Sequence, residues 1–136
     1  MRMHDKLKIL VIDDEPDILE LLTIQLSEEY IVDSTCSIKE FIKKACSQTY
    51  DILLVDITLK NVKSGFDIAK QLREECGLED VPIIAYSNYP QNSVTSLMAK
   101  ESGIDYYLEK SVPLSFLKET IYQTITYHQR RFATNV

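Results

Sequence analysis

The chain predicts an α/β fold, a parallel sheet of five strands wound on both faces by helices, and three observations carry that prediction. Short apolar runs of the kind that form strands buried on both faces recur, notably at residues 7–12, 51–55 and 81–86. Stretches with helical apolar spacing alternate with them. No Pro-, Gly- or Ser-rich segment interrupts the 136 residues, so a single domain over 1–136 is expected, with its core at about 6–131.

The first strand, 7–12, is followed by Pro16, which opens a helix to about 28 with Ile18, Leu19, Leu21, Leu22 and Leu26 on one broad face. Residues 30–35 form a more polar strand, which suits a sheet edge. Ser37 caps the next helix, where Ile38, Phe41, Ile42 and Ala45 make a stripe and Glu40 completes the capping-box spacing. The strand at 51–55 is the most apolar and is placed at the centre of the sheet. After a loop at 57–64, Gly65 leads into a helix carrying Phe66, Ala69, Leu72 and Cys76 inward and ending near Gly77.

Residues 81–86 read as the fourth strand, with Pro82 tolerable only near its start. A weaker helix at 90–102 carries Val94, Leu97 and Met98 and stops at Gly103. The fifth strand covers 104–108, and Pro113 starts a last helix with Leu114, Leu117, Ile121 and Ile125 in register to about His128. Such alternation implies right-handed βαβ units. The expected strand order is 2-1-3-4-5, that of a flavodoxin-like three-layer sandwich.

A net charge of −6 argues against direct nucleic-acid binding, which needs clustered cations, and the basic group His128, Arg130, Arg131 reads as a helix-terminus feature. Three widely spaced cysteines, Cys36, Cys46 and Cys76, fit neither a disulfide framework nor a zinc site, so reduced thiols are expected. No apolar run is long enough to span a membrane and residues 1–8 do not resemble a signal peptide, so a cytoplasmic, membrane-free protein is expected.

Chemistry concentrates where strands end. Asp13 and Asp14 follow the first strand and Asp56 follows the third, and strand order 2-1-3-4-5 puts its switch point between those two strands. Neighbouring strands lie about 4.8 Å apart, so the three carboxylates share one crevice. Their repulsion calls for a cation, and an all-oxygen, hydrated site suits Mg²⁺. Ser87 and Lys110 end the fourth and fifth strands, and a hydroxyl and an ammonium beside a metal-bound carboxylate make a receptacle for phosphoryl oxygens. Taken singly, each has a plainer reading: a helix N-cap for a strand-end Asp, a turn hydroxyl for Ser87, solvated surface for Lys110.

The segments Ile12-Asp13-Asp14-Glu15-Pro16, Leu53-Leu54-Val55-Asp56, Pro82-Ile83-Ile84-Ala85-Tyr86-Ser87 and Tyr107-Leu108-Glu109-Lys110 closely resemble the receiver domain of two-component response regulators. The resemblance implies that Asp56 is the phosphoacceptor, taking its phosphoryl group from a histidine kinase or phosphotransfer protein. It implies Mg²⁺ on Asp14, Asp56 and the backbone carbonyl of Thr58, with Asp13 acting through water. Lys110 would pair with a phosphoryl oxygen, Ser87 would swing toward the phosphate, and Tyr107 would rotate inward behind it. The implied role is that of a signalling switch rather than an enzyme. Its switch surface would be the fourth helix, fifth strand and fifth helix, addressed to a downstream protein or output domain. Members commonly pair through that face, which makes a homodimer a candidate.

The chain departs from the family's usual pattern at three places. Lys60 and Ser64 stand where Pro and Gly are usual, with Gly65 one residue late; Asn88 follows the switch hydroxyl in place of Ala; and Ser111 replaces a cis proline after Lys110. A cis bond to Ser111 would cost about 2.5 to 4 kcal/mol, so either that loop stores strain or a trans bond shifts Lys110. Two other functions fit less well: Asp13-Asp14-Glu15 would repel the phosphate of a flavodoxin-like cofactor, and Thr58 stands where a haloacid-dehalogenase-like phosphatase needs a second Asp. The remaining alternative is a pseudo-receiver, an interaction module that is not phosphorylated.

Overall fold

The computed structural model describes residues 6–57 and 64–134, with side chains as far as Gln129. Among them lie β1 (Lys8–Ile12), α1 (Pro16–Leu26), β2 (Ile31–Thr35), α2 (Ile38–Ser47), β3 (Ile52–Asp56), α3 (Gly65–Glu75), β4 (Ile83–Ser87), α4 (Ser93–Ser102), β5 (Tyr106–Glu109) and α5 (Leu114–Thr134). The strands form one parallel sheet of order β2-β1-β3-β4-β5, as expected from the sequence. Among the described residues no helix is long and apolar enough to cross a membrane.

Strand alternation divides the core in two. Leu10, Ile12, Leu53, Val55, Ile83 and Ala85 face one side and pack with Phe41 of α2, Phe66, Ile68 and Leu72 of α3, and Ala99 of α4. Ile9, Val11, Ile52, Leu54, Ile84 and Leu108 face the other and pack with Leu22 and Leu26 of α1 and Leu117, Ile121 and Ile125 of α5. β3 and β4 are buried along their whole length because both faces carry helices, whereas the edge strand β2 is mostly half-exposed.

The structure corrects several expectations. α4 begins at Ser93, capped by Asn92, whose side chain accepts from the backbone N–H groups of Val94 and Thr95. Its apolar residues point outward: Val94 is 63%, Leu97 56% and Met98 44% exposed, while small Ala99 and Ser102 face the protein. Leu21 of α1 is likewise exposed. Ser37 does cap α2, but the reciprocal half of the box is diverted. Thr35 Oγ1 donates to the Glu40 carboxylate and accepts from the Ser37 N–H.

The cysteines differ most from expectation. Cys46, in the last turn of α2, and Cys76, at the C-cap of α3, form a disulfide with their Cα atoms 5.6 Å apart. Adjacent packing of α2 and α3 brings together two residues that sequence spacing leaves unrelated. Cys36 is free and exposed.

Under α2, the Tyr50 hydroxyl donates to Asp33 Oδ2 at 2.6 Å. Burial and then this bond to a carboxylate push the phenol well above its usual range. The folded protein therefore keeps the Tyr50 proton where the unfolded chain, with a pKa of about 10, loses it. Its contribution to stability is complete below pH about 10 and declines as pH rises above that value. Tyr50→Phe is expected to lower stability at pH 7 by about 1 to 2 kcal/mol and to flatten the alkaline decline. Denaturant titrations at stepped pH check this; parallel declines in parent and variant would contradict it.

Candidate functional site

Parallel register sets the site at the C-terminal edge of the sheet. Ile12 pairs with Val55, so Asp13, the next residue, comes level with Asp56 at the end of β3. Asp56 pairs with Tyr86, and Ser87 pairs with Glu109, which puts Ser87 and Lys110 on the same edge. One carboxylate oxygen from each of Asp13, Asp14 and Asp56 lies within 4.8 Å of the other two. Asp13 and Asp56 are buried and Asp14 is partly exposed, so the cluster opens to solvent on one side.

Local bonds aim these groups. The Asp13 backbone N–H donates to the Thr35 carbonyl, and its Oδ1 accepts from the Glu15 N–H at 2.9 Å, a turn that swings the chain into α1. Lys110 Nζ lies 2.8 Å from Asp13 Oδ2 and 3.5 Å from Asp56 Oδ2. The Lys110 N–H also donates to the Ser87 carbonyl at 2.7 Å, which anchors its backbone to β4. No cis peptide bond occurs among the described residues, so Ser111 follows a trans bond, and Lys110 reaches both carboxylates nonetheless.

Three carboxylates face one ammonium. Burial pushes the Asp13 carboxyl above its ordinary range, with the Asp56 charge adding to the rise, against the lowering hydrogen bonds from Lys110 and the Glu15 N–H. Burial lowers Lys110, but its bond to Asp13 and the surrounding carboxylates outweigh that and raise it, so the ammonium stays charged at neutral pH. The excess negative charge and the all-oxygen donor set fit a hard divalent cation such as Mg²⁺. Thr58, whose carbonyl was expected as a further ligand, and Lys60 lie outside the described residues.

Ser87 is fully buried, and its Oγ accepts from the Tyr89 N–H at 2.9 Å. Tyr107 already lies inward, with its hydroxyl donating to the Tyr89 carbonyl at 3.0 Å. The Tyr89 peptide segment thus joins the site hydroxyl to the tyrosine of β5. A family model described as a response regulator receiver domain matches residues 9–122.

The chain belongs to the response regulator receiver family.

Response regulator ArlR of Staphylococcus saprophyticus is 32% identical over 100 residues, which is 73% of this chain and 41% of that protein. A nitrate/nitrite response regulator homolog of Haemophilus influenzae is 32% identical over 123 residues, 88% of this chain and 57% of that protein. This receiver domain therefore spans about half the length of the curated relatives it matches. Among solved structures, response regulator TrrA of Thermotoga maritima, in complex with Mg²⁺ and BeF, is 34% identical with a TM-score of 0.76. The match covers 88% of this chain and 98% of that one. A CheY-like receiver domain from Methanospirillum hungatei has a TM-score of 0.85 at 22% identity, covering 93% and 99%, and supports the fold alone.

Two features of this receiver were not read from its sequence. Gly65 lies against the end of β3: a Cβ there would come 2.5 Å from the Asp56 carbonyl oxygen and 2.9 Å from Ile57 Cα. Backbone cannot yield as a side-chain end can, so only glycine lets α3 start this close to β3. Gly65→Ala is expected to lower stability by about 1 to 3 kcal/mol and to displace Asp56. Thermal melts check it; a variant that melts with the parent would contradict the close-approach argument. The second feature is Arg73, which ties the opposite edge of the sheet together; its only sequence signal is a cation in the last turn of a helix.

Proposed function

We propose that this receiver domain accepts one phosphoryl group on Asp56 from the phosphohistidine of a histidine kinase or phosphotransfer protein. The observation that carries the reading is the cluster of Asp13, Asp14 and Asp56 at one strand edge with Lys110 Nζ 2.8 and 3.5 Å from two of them. Asp14 and Asp56 would hold Mg²⁺ directly together with the Thr58 carbonyl, and Asp13 through water. Bound there, Mg²⁺ supplies positive charge to the phosphoryl oxygens. The Mg²⁺–BeF complex of TrrA supports this assignment.

An Asp56 carboxylate oxygen attacks phosphorus while the bond from phosphorus to the donor nitrogen breaks, and Lys110 offsets charge on the equatorial oxygens. The product adds about 1.5 to 2 negative charges, by analogy with other phosphorylated side chains. Ser87 Oγ turns from the Tyr89 N–H toward those charges, and Tyr107 holds the Tyr89 segment in its inward position. The change reaches the loop after β4, α4, β5 and α5, a surface on which Tyr89, Tyr106, Tyr122 and Tyr127 are exposed. That surface would engage a downstream protein, an output domain or a second copy. The proposed unit covers about 6–131, works in the cytoplasm and contacts neither nucleic acid nor membrane itself.

The test is intact mass after incubation with a small-molecule phosphodonor and Mg²⁺, with a gain of one phosphoryl group expected. No gain would overturn the reading and indicate an interaction module that is not phosphorylated. Metal binding has its own readout. Mg²⁺ is expected to raise the thermal midpoint by relieving carboxylate repulsion, and Asp13→Asn to lose most of that response; an equal response in the variant would remove Asp13 from the cation site.

A further inference from the structure

The bond between Cys46 and Cys76 lies at the end of the sheet remote from the Asp cluster, because the C-termini of α2 and α3 sit at the strands' N-terminal edge. It closes a loop of sequence separation 30 that contains β3 and Asp56. Two aspects of its setting matter. Cys46 is exposed and Cys76 partly exposed, so small thiols and disulfides can reach the pair. The domain also has apolar layers on both faces of its sheet, so the bond is no substitute for a core.

We propose that Cys46 and Cys76 form a reversible dithiol–disulfide site, a redox-dependent staple between α2 and α3 that leaves Cys36 out. The Cα separation of 5.6 Å lies in the range that permits a bond without moving the backbone. Both cysteines sit at helix ends fixed by core residues beside them: Phe41 and Ala45 on α2, Leu72 on α3. Cys76 itself packs at the margin of that core with Ile42, Leu78 and Val81. The reduced pair is therefore held in register by packing that does not depend on the bond. Cys36 lies at the other end of α2, before its Ser37 cap, and cannot compete.

The oxidant is a small-molecule disulfide. The exposed Cys46 thiolate attacks one of its sulfurs, forming a mixed disulfide and releasing one thiol. The Cys76 thiolate then attacks the Cys46 sulfur, forming the internal bond and releasing the second thiol. Two electrons and two protons leave the protein dithiol, and the oxidant becomes two thiols. Excess reductant runs both exchanges backward. In a reducing compartment such a pair is transient and condition-dependent rather than permanent. Its effect is to stabilise the folded α2-β3-α3 segment when oxidant rises, by constraining the unfolded chain.

The test equilibrates the whole chain in glutathione buffers from reducing to oxidising, then alkylates and maps peptides without reduction. The expected result is joint loss of alkylation at Cys46 and Cys76, one cross-linked peptide, continued alkylation of Cys36, and full reversal by dithiothreitol. The oxidised protein should melt several degrees above the reduced one, with no such difference in Cys46→Ser. Separate glutathione adducts at the three cysteines, no loss of alkylation, or a reduced protein that fails to refold would each overturn the proposal. None of these readouts involves phosphoryl transfer, so the proposal stands or fails apart from the role of Asp56.

Discussion

Asp56→Asn is expected to take up no phosphoryl group under conditions where the parent protein gains one. The carboxamide keeps the shape of the side chain but lacks the anionic oxygen that, in the proposed function, attacks phosphorus. Asp13 and Asp14 do not replace it, since β1 ends level with Asp56 and Lys110 already spans the Asp13 and Asp56 carboxylates. The substitution also removes one of three mutually repelling charges, so the fold should survive it and the metal-free protein should be no less stable than the parent by more than about 1 kcal/mol. Intact mass and a thermal melt on the same sample separate lost chemistry from lost structure. Phosphoryl gain by the variant would move the acceptor to another residue.

The second large effect is on stability. Arg73→Ala is expected to cost about 3 to 5 kcal/mol, enough to lower the thermal midpoint on the order of 10 °C. The Arg73 guanidinium donates to the Leu78 carbonyl at 2.5 Å and the Val81 carbonyl at 2.6 Å. It also donates to the Gly103 carbonyl at 3.1 and 2.7 Å and to Asp105 Oδ2 at 3.1 Å. One side chain thus joins the exit of α3, the approach to β4, the C-cap of α4 and the start of β5. Asp105 Oδ2 in turn accepts from the Ile83 N–H, so the cluster also positions β4. Removing the fork takes the guanidinium donor from the Leu78, Val81 and Gly103 carbonyls and leaves Asp105 Oδ2 with the Ile83 N–H. Arg73→Lys keeps the charge but cannot span the set, and most of the loss should persist. Denaturant unfolding measures both; a change below about 1 kcal/mol for Arg73→Ala would mean that water replaces the guanidinium.

Much of this was legible in the residues. β3 and β4 were readable because strands covered on both faces are mostly apolar, and the polar residues that end them, Asp56 and Ser87, stand out against that run. Gly103 was readable as a stop because its left-handed φ of 84° suits glycine. The direction of the α4 stripe was not legible, because periodicity reports that a helix has apolar residues on one stripe, not which way the stripe points. Its small residues Ala99 and Ser102 fit against the sheet and leave Val94, Leu97 and Met98 outside. The trans bond before Ser111 could not be settled in advance, because the position of Lys110 depends on its backbone bond to Ser87.

The sequence by itself determined the α/β class, which follows from local periodicity and the handedness of βαβ connections, and its receiver-like motifs implied the strand order 2-1-3-4-5, under which Asp13, Asp14 and Asp56 meet. Only the tertiary structure decided that Lys110 pairs more closely with Asp13 than with Asp56, that Cys46 meets Cys76, that Gly65 abuts the Asp56 backbone and that Arg73 binds four segments together. Each of those contacts joins residues distant in sequence through side-chain reach and helix packing, and neither periodicity nor residue spacing encodes such distances.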